Sequence, residues 1–299
     1  MKQRAWSYLI LGFSLLVAGC ESTLDWTFDS LPKLTIIAHP YYYSGDTTRV
    51  RVYVYASLSP LDSSQFYTPA KLEVEVTELE SDLTFKLDST TSGNKVYFEF
   101  PRNFLKEGFQ YSIKAYAPGF EPVHATTEIP KPSKITDLQV KDIKIEPSHL
   151  NDFKNILHYK VAFNIEHYPT NRYYHLVFYN VYGDSPTRYV VDPEVSDEIP
   201  FIRNYDYGIL IDRNDIPEGQ PLEFNFIDWS IKNQDLKTVF VELRSITPDY
   251  YKYSSTLARQ VLVRQDPFAE PIPIFNNIEG GFGNFSGFSP NVVYSDLPH

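Results

Sequence analysis

Apolar and polar residues alternate along this chain with a period of two, and that pattern limits the folds open to it. From Thr48 to Ser57, valine or alanine occupies every second position, and arginine or tyrosine occupies most positions between. Lys71 to Thr77 repeats the pattern. A period of two is typical of a strand with one buried face. Aromatic residues make up 16% of the chain, with 23 Tyr and 21 Phe, and these residues favour sheets.

Similar short segments recur up to residue 129, and turn residues such as Lys106-Glu107-Gly108 and Pro118-Gly119 separate them. The further segments are Leu34 to Ala38, Leu83 to Leu87, Lys95 to Phe100, Phe109 to Ala117 and Val123 to Ile129. Short strands at regular spacing with turn signals between them indicate a β-sandwich, which we place at residues 34–130.

The segment Ile129-Pro130-Lys131-Pro132-Ser133 interrupts this pattern. Two prolines in three residues favour a stiff, extended connector, so we predict a domain boundary here. Residues 131–299 again contain strand-like segments and predict a second, mostly antiparallel β-rich domain. Its longer loops, around 184–206 and 212–220, are where we expect a ligand surface.

One helix is predicted in this second half, over about residues 248–264. Thr247 can cap it, and Pro248 suits its first position. Tyr250, Tyr253, Leu257 and Val261 recur at helical spacing. We expect this stripe to pack on the sandwich, and the alternative is a platform for a sugar or a peptide. The Gly- and Phe-rich tail that follows predicts a tight hairpin that closes the second domain.

The N-terminus carries Lys2 and Arg4, then an apolar run from Tyr8 to Ala18. This order is typical of a secretory signal peptide, and the run is shorter than the roughly 20 residues of a transmembrane helix. Val17-Ala18-Gly19-Cys20 resembles a bacterial lipobox. The resemblance implies that residues 1–19 are removed and that Cys20 carries a diacylglycerol and an N-acyl chain. Residues 20–33 are then a lipidated tether.

Composition narrows the function classes. Cys20 is the only cysteine, so no disulfide is expected within the mature chain. The formal charge is −11, and loss of Lys2 and Arg4 with the signal peptide lowers it to −13. Such a chain repels nucleic acid, so we exclude nucleic-acid binding.

The sequence contains no catalytic or metal-binding signature. No His-x-x-x-His pair occurs among the seven histidines, and no Gly-x-Ser-x-Gly elbow is present. The even spacing of His149, His158 and His167 does not place them on one face of a strand. Acidic pairs such as Glu73/Glu75, Glu78/Glu80 and Asp212/Asp215 are expected to be solvated edges. We therefore predict no enzyme activity and no cofactor besides the lipid on Cys20.

Aromatic loops are the better candidates for binding. Tyr41, Tyr42 and Tyr43 follow a proline and precede Ser-Gly-Asp, and they form a candidate binding surface for sugars or peptides. The alternative is a sandwich rim covered by half-buried rings. Asp29-Ser30-Leu31 resembles a site of O-glycosylation in Bacteroidota.

Segments along nearly the whole mature chain resemble a family of Bacteroidota lipoproteins known as a domain of unknown function. The matching segments are Cys20 with its lipobox, Pro32 to Ala38, Val50 to Ala56, Ala70 to Thr77, Glu107 to Ser112, Ala117 to Phe120, Ile129 to Pro132, Tyr250 to Tyr253, Asp266 to Pro271 and Asn277 to Gly283. The N-terminal half also resembles immunoglobulin-like modules or carboxypeptidase-regulatory-like modules. The expected fold is therefore mainly β: an N-terminal immunoglobulin-like β-sandwich, then an antiparallel β-rich domain with one helix.

The resemblance implies a place and a partner. Such lipoproteins are typically encoded beside TonB-dependent outer-membrane transporters of the starch-utilisation type. We therefore expect a lipid-anchored outer-membrane protein that faces the cell exterior and assists such a transporter without catalysis, as an accessory or by binding its substrate, a glycan or a peptide. One alternative is an adhesion or matrix-binding lipoprotein without a transporter. A second alternative is a glycan or peptide hydrolase that uses loop carboxylates.

Overall fold

Two strand-rich halves make up the chain in the computed structural model. The structure describes residues 32–41, 50–57, 67–92, 95–101, 103–147, 155–183, 186–194, 200–228, 236–264 and 268–297. The lipobox with Cys20, the segment Asp29-Ser30-Leu31, and Tyr42 and Tyr43 lie outside the described residues. The predictions made for them are therefore not addressed by the fold.

The first half forms a β-sandwich, as predicted. Its strands are β1 (Leu34–Ala38), β2 (Arg51–Ala56), β3 (Glu73–Glu78), β4 (Leu83–Lys86), β5 (Ser89–Ser92), β6 (Lys95–Glu99), β7 (Gln110–Tyr116) and β8 (Val123–Glu128). One sheet contains β1, β2, β6 and β5 in that order, and the other contains β4, β3, β7 and β8. The valines and the alanine of β2 are buried, which confirms the alternation seen in the sequence.

The corner before β7 carries a feature of immunoglobulin-like sandwiches. The Tyr111 side chain is fully buried near the start of this strand. Its hydroxyl donates to the carbonyl of Phe104 at 3.2 Å and accepts from the amide of Lys106 at 2.8 Å. A tyrosine that bonds the backbone a few residues upstream is the tyrosine corner of this fold class. It fixes the crossing from one sheet to the other.

The second half forms another pair of sheets. Its elements are β9 (Lys134–Pro147), β10 (Asn155–Glu166), β11 (Tyr173–Tyr182), β12 (Tyr189–Val191), β13 (Ile202–Arg203), β14 (Ile209–Asp212), β15 (Leu222–Asp228), β16 (Leu236–Ile246) and the helix α1 (Pro248–Val263). The two sheets, β15-β10-β9 and β13-β14-β11-β16-β18, enclose a core of their own. β12 pairs with β11, and β18 is Phe288–Asp296. The mainly β fold with a helix near the C-terminus is confirmed.

The helix begins where the sequence predicts. The Thr247 hydroxyl accepts from the amide of Tyr250 at 3.3 Å, and Pro248 occupies the first turn. Tyr250, the first residue of the stripe, is buried against Leu210, Ile246 and Phe288 and so packs on the sheet as expected. A helix that spans a bilayer needs about 20 apolar residues, and no helix in the described segments meets that requirement.

The prediction of a tail hairpin is wrong. The strand β17 (Phe282–Phe285) runs parallel to β1 in the first sandwich, whereas β18 pairs antiparallel with β16 in the second. A Cβ on Gly283 would lie 1.9 Å from the carbonyl oxygen of Ile36, so only glycine fits this approach. The tail therefore links both sandwiches, while their independence as domains stays a prediction.

Candidate functional site

A cavity of about 460 Å³ opens beside the point where the tail crosses between the two sandwiches. The outward face of the sheet around β11 and β16 lines it, together with α1, the start of β18 and the residues that follow β1. The tail crosses at Gly287, between the end of β17 and the start of β18. Next to it, the amide of Phe288 donates to the carbonyl of Pro40 at 3.0 Å. The cavity therefore uses parts of the chain that are distant in sequence.

Two charged residues on the outward face of β16 lie within this cavity. Glu242 and Arg244 alternate with Val241 and Leu243, whose side chains are in the core. Arg244 is only 8% exposed. Its Nε donates to Oε1 of Glu242 at 2.7 Å, and the Tyr179 hydroxyl donates to Oε2 at 2.8 Å. Both carboxylate oxygens thus have a partner, which fixes the plane of the carboxylate.

Aromatic rings enclose the guanidinium of Arg244. Its centre lies 5.0 Å from the ring of Phe288 and 5.3 Å from the ring of Tyr207. A guanidinium near the negative faces of aromatic rings is attracted to them. Burial by itself would lower the pKa of Arg244, but the Glu242 carboxylate raises that pKa well above its usual value. Arg244 is therefore charged at every physiological pH.

His175 lies on β11 at the floor of the cavity and is fully buried. Its Nε2 lies 2.9 Å from the carbonyl oxygen of Tyr207, and its Nδ1 lies 3.1 Å from the hydroxyl of Tyr250. A carbonyl can only accept, so Nε2 carries the proton and Nδ1 accepts from Tyr250. Burial, and secondarily the charge of Arg244, lowers the pKa of His175 to about 3. The imidazole is neutral and both its nitrogens are bonded.

A second histidine, His39, follows β1 and approaches the same helix. Its ring centroid lies 4.9 Å from that of Tyr250. Its Nδ1 is 3.1 Å from the hydroxyl of Ser286, which in turn donates to the buried amide oxygen of Asn284. Burial lowers the pKa of His39 to about 4. Both histidines are therefore neutral near pH 7.

The rim of the cavity is the five-residue loop 204–208 between β13 and β14. The amide of Asn204 bonds the carbonyl of Gly208 at 2.9 Å, and the amide of Gly208 bonds Oδ1 of Asp192 at 3.1 Å. A Cβ on Gly208 would lie 2.3 Å from the carbonyl oxygen of Leu176, so glycine brings the loop close to β11. This places the exposed rings of Tyr205 and Tyr207 at the opening.

The cavity contains part of what the sequence suggests. Tyr41 lines it and stacks on Phe288 with 4.9 Å between ring centroids, whereas Tyr42 and Tyr43 are outside the described residues. A binding role for Tyr41 stays a prediction. Tyr250 and Tyr253 of the helical stripe also line the cavity. Of the two long loops, the end of 184–206 contributes to it, while residues of 212–220 line a separate cavity of about 520 Å³.

Sequence reasoning missed two histidines and the ion pair of the site. They are His39, His175, Glu242 and Arg244. A usable signal existed for the last two, because charges at alternate positions of an otherwise apolar strand must face outward. No pattern could show that the outward face of β16 is covered by α1 and by the tail, since that follows from long-range packing.

One acidic residue of each pair singled out in the sequence has a charged partner: Glu73 bonds Lys86, Glu78 bonds Lys106 at 3.0 Å, and Asp212 forms a two-point pair with Arg172. The expectation of a solvated edge is wrong for Glu78, which is only 2% exposed, because Lys106 and Ser81 satisfy its carboxylate within the protein. His158 lies near the start of β10 and His167 follows its end, so their spacing does not bring them together. Within the segments that the structure describes, His, Cys, Asp and Glu side chains form no group of three suited to a metal ion.

Comparison with known protein families finds one match, which covers residues 23–292. The description of the matched family is Domain of unknown function (DUF4249). The match therefore spans both sandwiches, the helix and the tail strand β17, and it confirms the resemblance to a domain of unknown function. Comparison with curated proteins finds no match to the chain.

Proposed function

The chain belongs to the DUF4249 family, and from that premise we propose that it is a lipid-anchored binding protein of the bacterial outer membrane. In this proposal Cys20 carries the lipid, the body faces the cell exterior, and the protein assists a TonB-dependent nutrient transporter without catalysis. The cavity around Arg244 and Glu242 is its ligand site.

The arrangement of the cavity supports binding over turnover. A general base needs a free lone pair directed at the substrate, near a pKa that matches the working pH. His175 uses both nitrogens within the protein, and burial lowers its pKa far below neutrality. Glu242 is held by Arg244 and Tyr179. Groups fixed in this way suit recognition of a ligand.

Exposed apolar residues near the end of α1 support contact with a partner. Leu262 is 71% exposed and Phe268 is 94% exposed. Leu262 lines a groove with Phe201, Ile202 and Val261, and contiguous apolar surface of this kind often marks an interaction site. The transporter barrel is the partner that we propose for this end of the molecule.

Fractionation of cells tests the anchor. The unmodified protein should sediment with outer membranes, and the Cys20→Ala variant should leave that fraction, because each buried methylene of an acyl chain contributes about 0.8 kcal/mol. Retention of Cys20→Ala in the outer membrane would refute the lipid anchor. Protease treatment of intact cells then tests whether the body faces outward.

Co-purification tests the partner. The native protein, extracted with detergent, should bring a transporter barrel with it, and a Leu262→Asp variant should recover less of that barrel. The matched control is Thr90→Asp, because Thr90 lies at an exposed strand position. A core position such as Val123 is unsuitable for this control. Repeated isolation without a barrel, but with binding to extracellular matrix, would favour the adhesion alternative.

A further inference from the structure

The shape of the cavity limits its ligand to a small molecule or one end of a chain. Its volume of about 460 Å³ lies within the range of roughly 300–1,000 Å³ usual for small-molecule sites. Tyr207 at the rim is 36% exposed and Tyr205 is 56% exposed, whereas Phe288 deeper inside is 7% exposed. The rings available to a ligand are those at the rim, because Tyr41 and Arg244 already contact the ring of Phe288. The negative faces of the rim rings suit the weakly positive C–H groups of a ligand.

The polar groups of the cavity offer donors and acceptors side by side. The guanidinium of Arg244 has five N–H donors, and its side-chain hydrogen-bond partners among the described residues are Glu242, Tyr207 and Tyr250, so N–H donors remain for a ligand. Glu242 next to it retains lone pairs after accepting from Arg244 and Tyr179. Two neighbouring hydroxyl groups of a ligand, each of which can donate and accept a hydrogen bond, fit the donors of Arg244 and the acceptors of Glu242.

The charges of the cavity argue against an ionic ligand. The charges of Arg244 and Glu242 cancel across a 2.7 Å contact, and the burial that lowers the pKa of His39 and His175 leaves both neutral. Asp206 adds a negative charge at the rim. An anionic ligand would be repelled by the carboxylates of Glu242 and Asp206, and a cationic ligand would be repelled by the guanidinium of Arg244. The charged N-terminus and C-terminus of a peptide are disfavoured for the same reasons.

From these features we propose that the cavity binds an uncharged sugar, with Tyr205 and Tyr207 against its C–H face and the pair Arg244–Glu242 on neighbouring hydroxyls. This inference rests on the proposed function for the cavity as a ligand site. It adds the chemical class of the ligand, which neither the fold nor the family supplies.

Ligand-observed NMR on the full chain tests this inference. The protein is held in a polyoxyethylene detergent, because detergents with sugar headgroups would compete for the site. The probes are glucose, galactose, mannose and xylose with their neutral trisaccharides, and galacturonic acid and short peptides form the comparison set. At least one neutral sugar should bind, with a dissociation constant on the order of millimolar or tighter.

Variants locate the binding. Tyr207→Ala and Tyr205→Ala should each weaken it about tenfold, which corresponds to about 1.4 kcal/mol. Loss of the Tyr207 ring leaves the hydrogen bond from His175 to the Tyr207 carbonyl in place but removes ring contacts with Arg244 and His175, so Tyr205→Ala is the more specific of the two tests. Tyr67→Ala is the matched control, because this tyrosine is 49% exposed on the first sandwich. Its binding should equal that of the unmodified protein.

Three results would overturn the sugar assignment: no neutral sugar bound at about 20 mM, a preference for galacturonic acid or peptides, or unchanged binding in both rim variants. None of these results bears on the proposed lipid anchor or the proposed transporter partner, because fractionation and co-purification test those two proposals without a sugar. Failure of Cys20→Ala to leave the membrane, in turn, would not affect the NMR result.

Discussion

Each sandwich carries an ion pair on an outward sheet face, and the two pairs differ in how far they are buried. In the first sandwich, Lys86 and Glu73 have side chains that are 59% and 35% exposed. In the second, Arg244 and Glu242 are 10% and 14% exposed. An exposed pair contributes about 0–1 kcal/mol, whereas a buried pair is costly to break. The two outward faces therefore differ in how costly their ion pairs are to break.

The covering of the second face explains the difference. Helix α1 lies against this face and β18 pairs beside β16, so Arg244 contacts Phe288 and Tyr207 instead of water. In the first sandwich, Glu73 and its partners Lys86 and Tyr116 stay in contact with solvent. Burial of Arg244 and Glu242 therefore follows from the tail and the helix, which belong to the C-terminal part of the chain.

Replacing Gly283 with alanine should have the largest effect, because it disrupts the pairing of the tail strand β17 with β1, which links the two sandwiches. Gly283 has φ +113°, and a Cβ would lie 1.9 Å from the carbonyl oxygen of Ile36. We expect β17 to leave β1 with a loss of about 4–5 kcal/mol in the free energy of unfolding, measured with urea. Gly119→Ala is the matched control, since φ is +86° there but nothing lies within 4 Å. Equal losses in both variants would show that φ strain, and not the close approach, decides the result.

Breaking the buried ion pair should have the next largest effect. Arg244→Met leaves the Glu242 carboxylate without its cation and should cost about 3–5 kcal/mol. Lys86→Met, at the exposed pair, should cost about 0–1 kcal/mol. The free energy of unfolding of each variant in urea measures the contrast.

A double variant separates charge from packing. Adding Glu242→Gln to Arg244→Met removes the unpaired carboxylate and should restore part of the lost stability. If Arg244→Met alone costs no more than Lys86→Met, then the difference in burial has no energetic consequence and the comparison fails.

The two buried histidines should make stability depend on pH. A histidine in the unfolded chain titrates near pH 6.5, while burial lowers the pKa of His39 to about 4 and of His175 to about 3. Below pH 6.5 the unfolded chain therefore binds more protons than the folded one. Stability is complete above that pH and falls toward acid by about 1.4 kcal/mol per pH unit for each histidine.

Urea unfolding between pH 6.5 and 5 measures this slope. His175→Gln keeps a donor and an acceptor but cannot be protonated in this range, so it should remove a large part of the slope, and adding His39→Gln should remove a further part. Burial also lowers the pKa of His167, so this histidine contributes to the slope that remains. An unchanged slope in the double variant would mean that the histidines are not the groups responsible.

The sequence predicts the elements of this molecule better than their association. Alternation in β2 and β3 and the capped start at Thr247 depend on neighbours in sequence, and the structure contains them as predicted. Gly283 in the tail allows a close approach to β1. The strand it approaches could not be deduced, because about 250 residues separate Gly283 from Ile36 and no local pattern encodes such a pairing.

The cavity shows the same limit. The sequence singles out Tyr41 in an aromatic loop and Tyr250 and Tyr253 in a helical stripe, and all three line the cavity. His175 lies in a run of strand formers and is indistinguishable from a core residue until Tyr207 and Tyr250 are placed around it. Sites that depend on covering one face of a sheet emerge only with tertiary structure.

The smallest expected effect concerns the helix that covers the second face. Thr247→Ala removes the oxygen that accepts from the amide of Tyr250 and should cost about 1 kcal/mol. Thr247→Ser keeps this acceptor and should cost less than Thr247→Ala. Hydrogen exchange should report the loss at the start of α1 and leave the first sandwich unchanged, because the cap has no counterpart there. Equal loss of protection in β7 would mean that the two sandwiches unfold as one unit, and the contrast between their outward faces would then have to be measured by local probes alone.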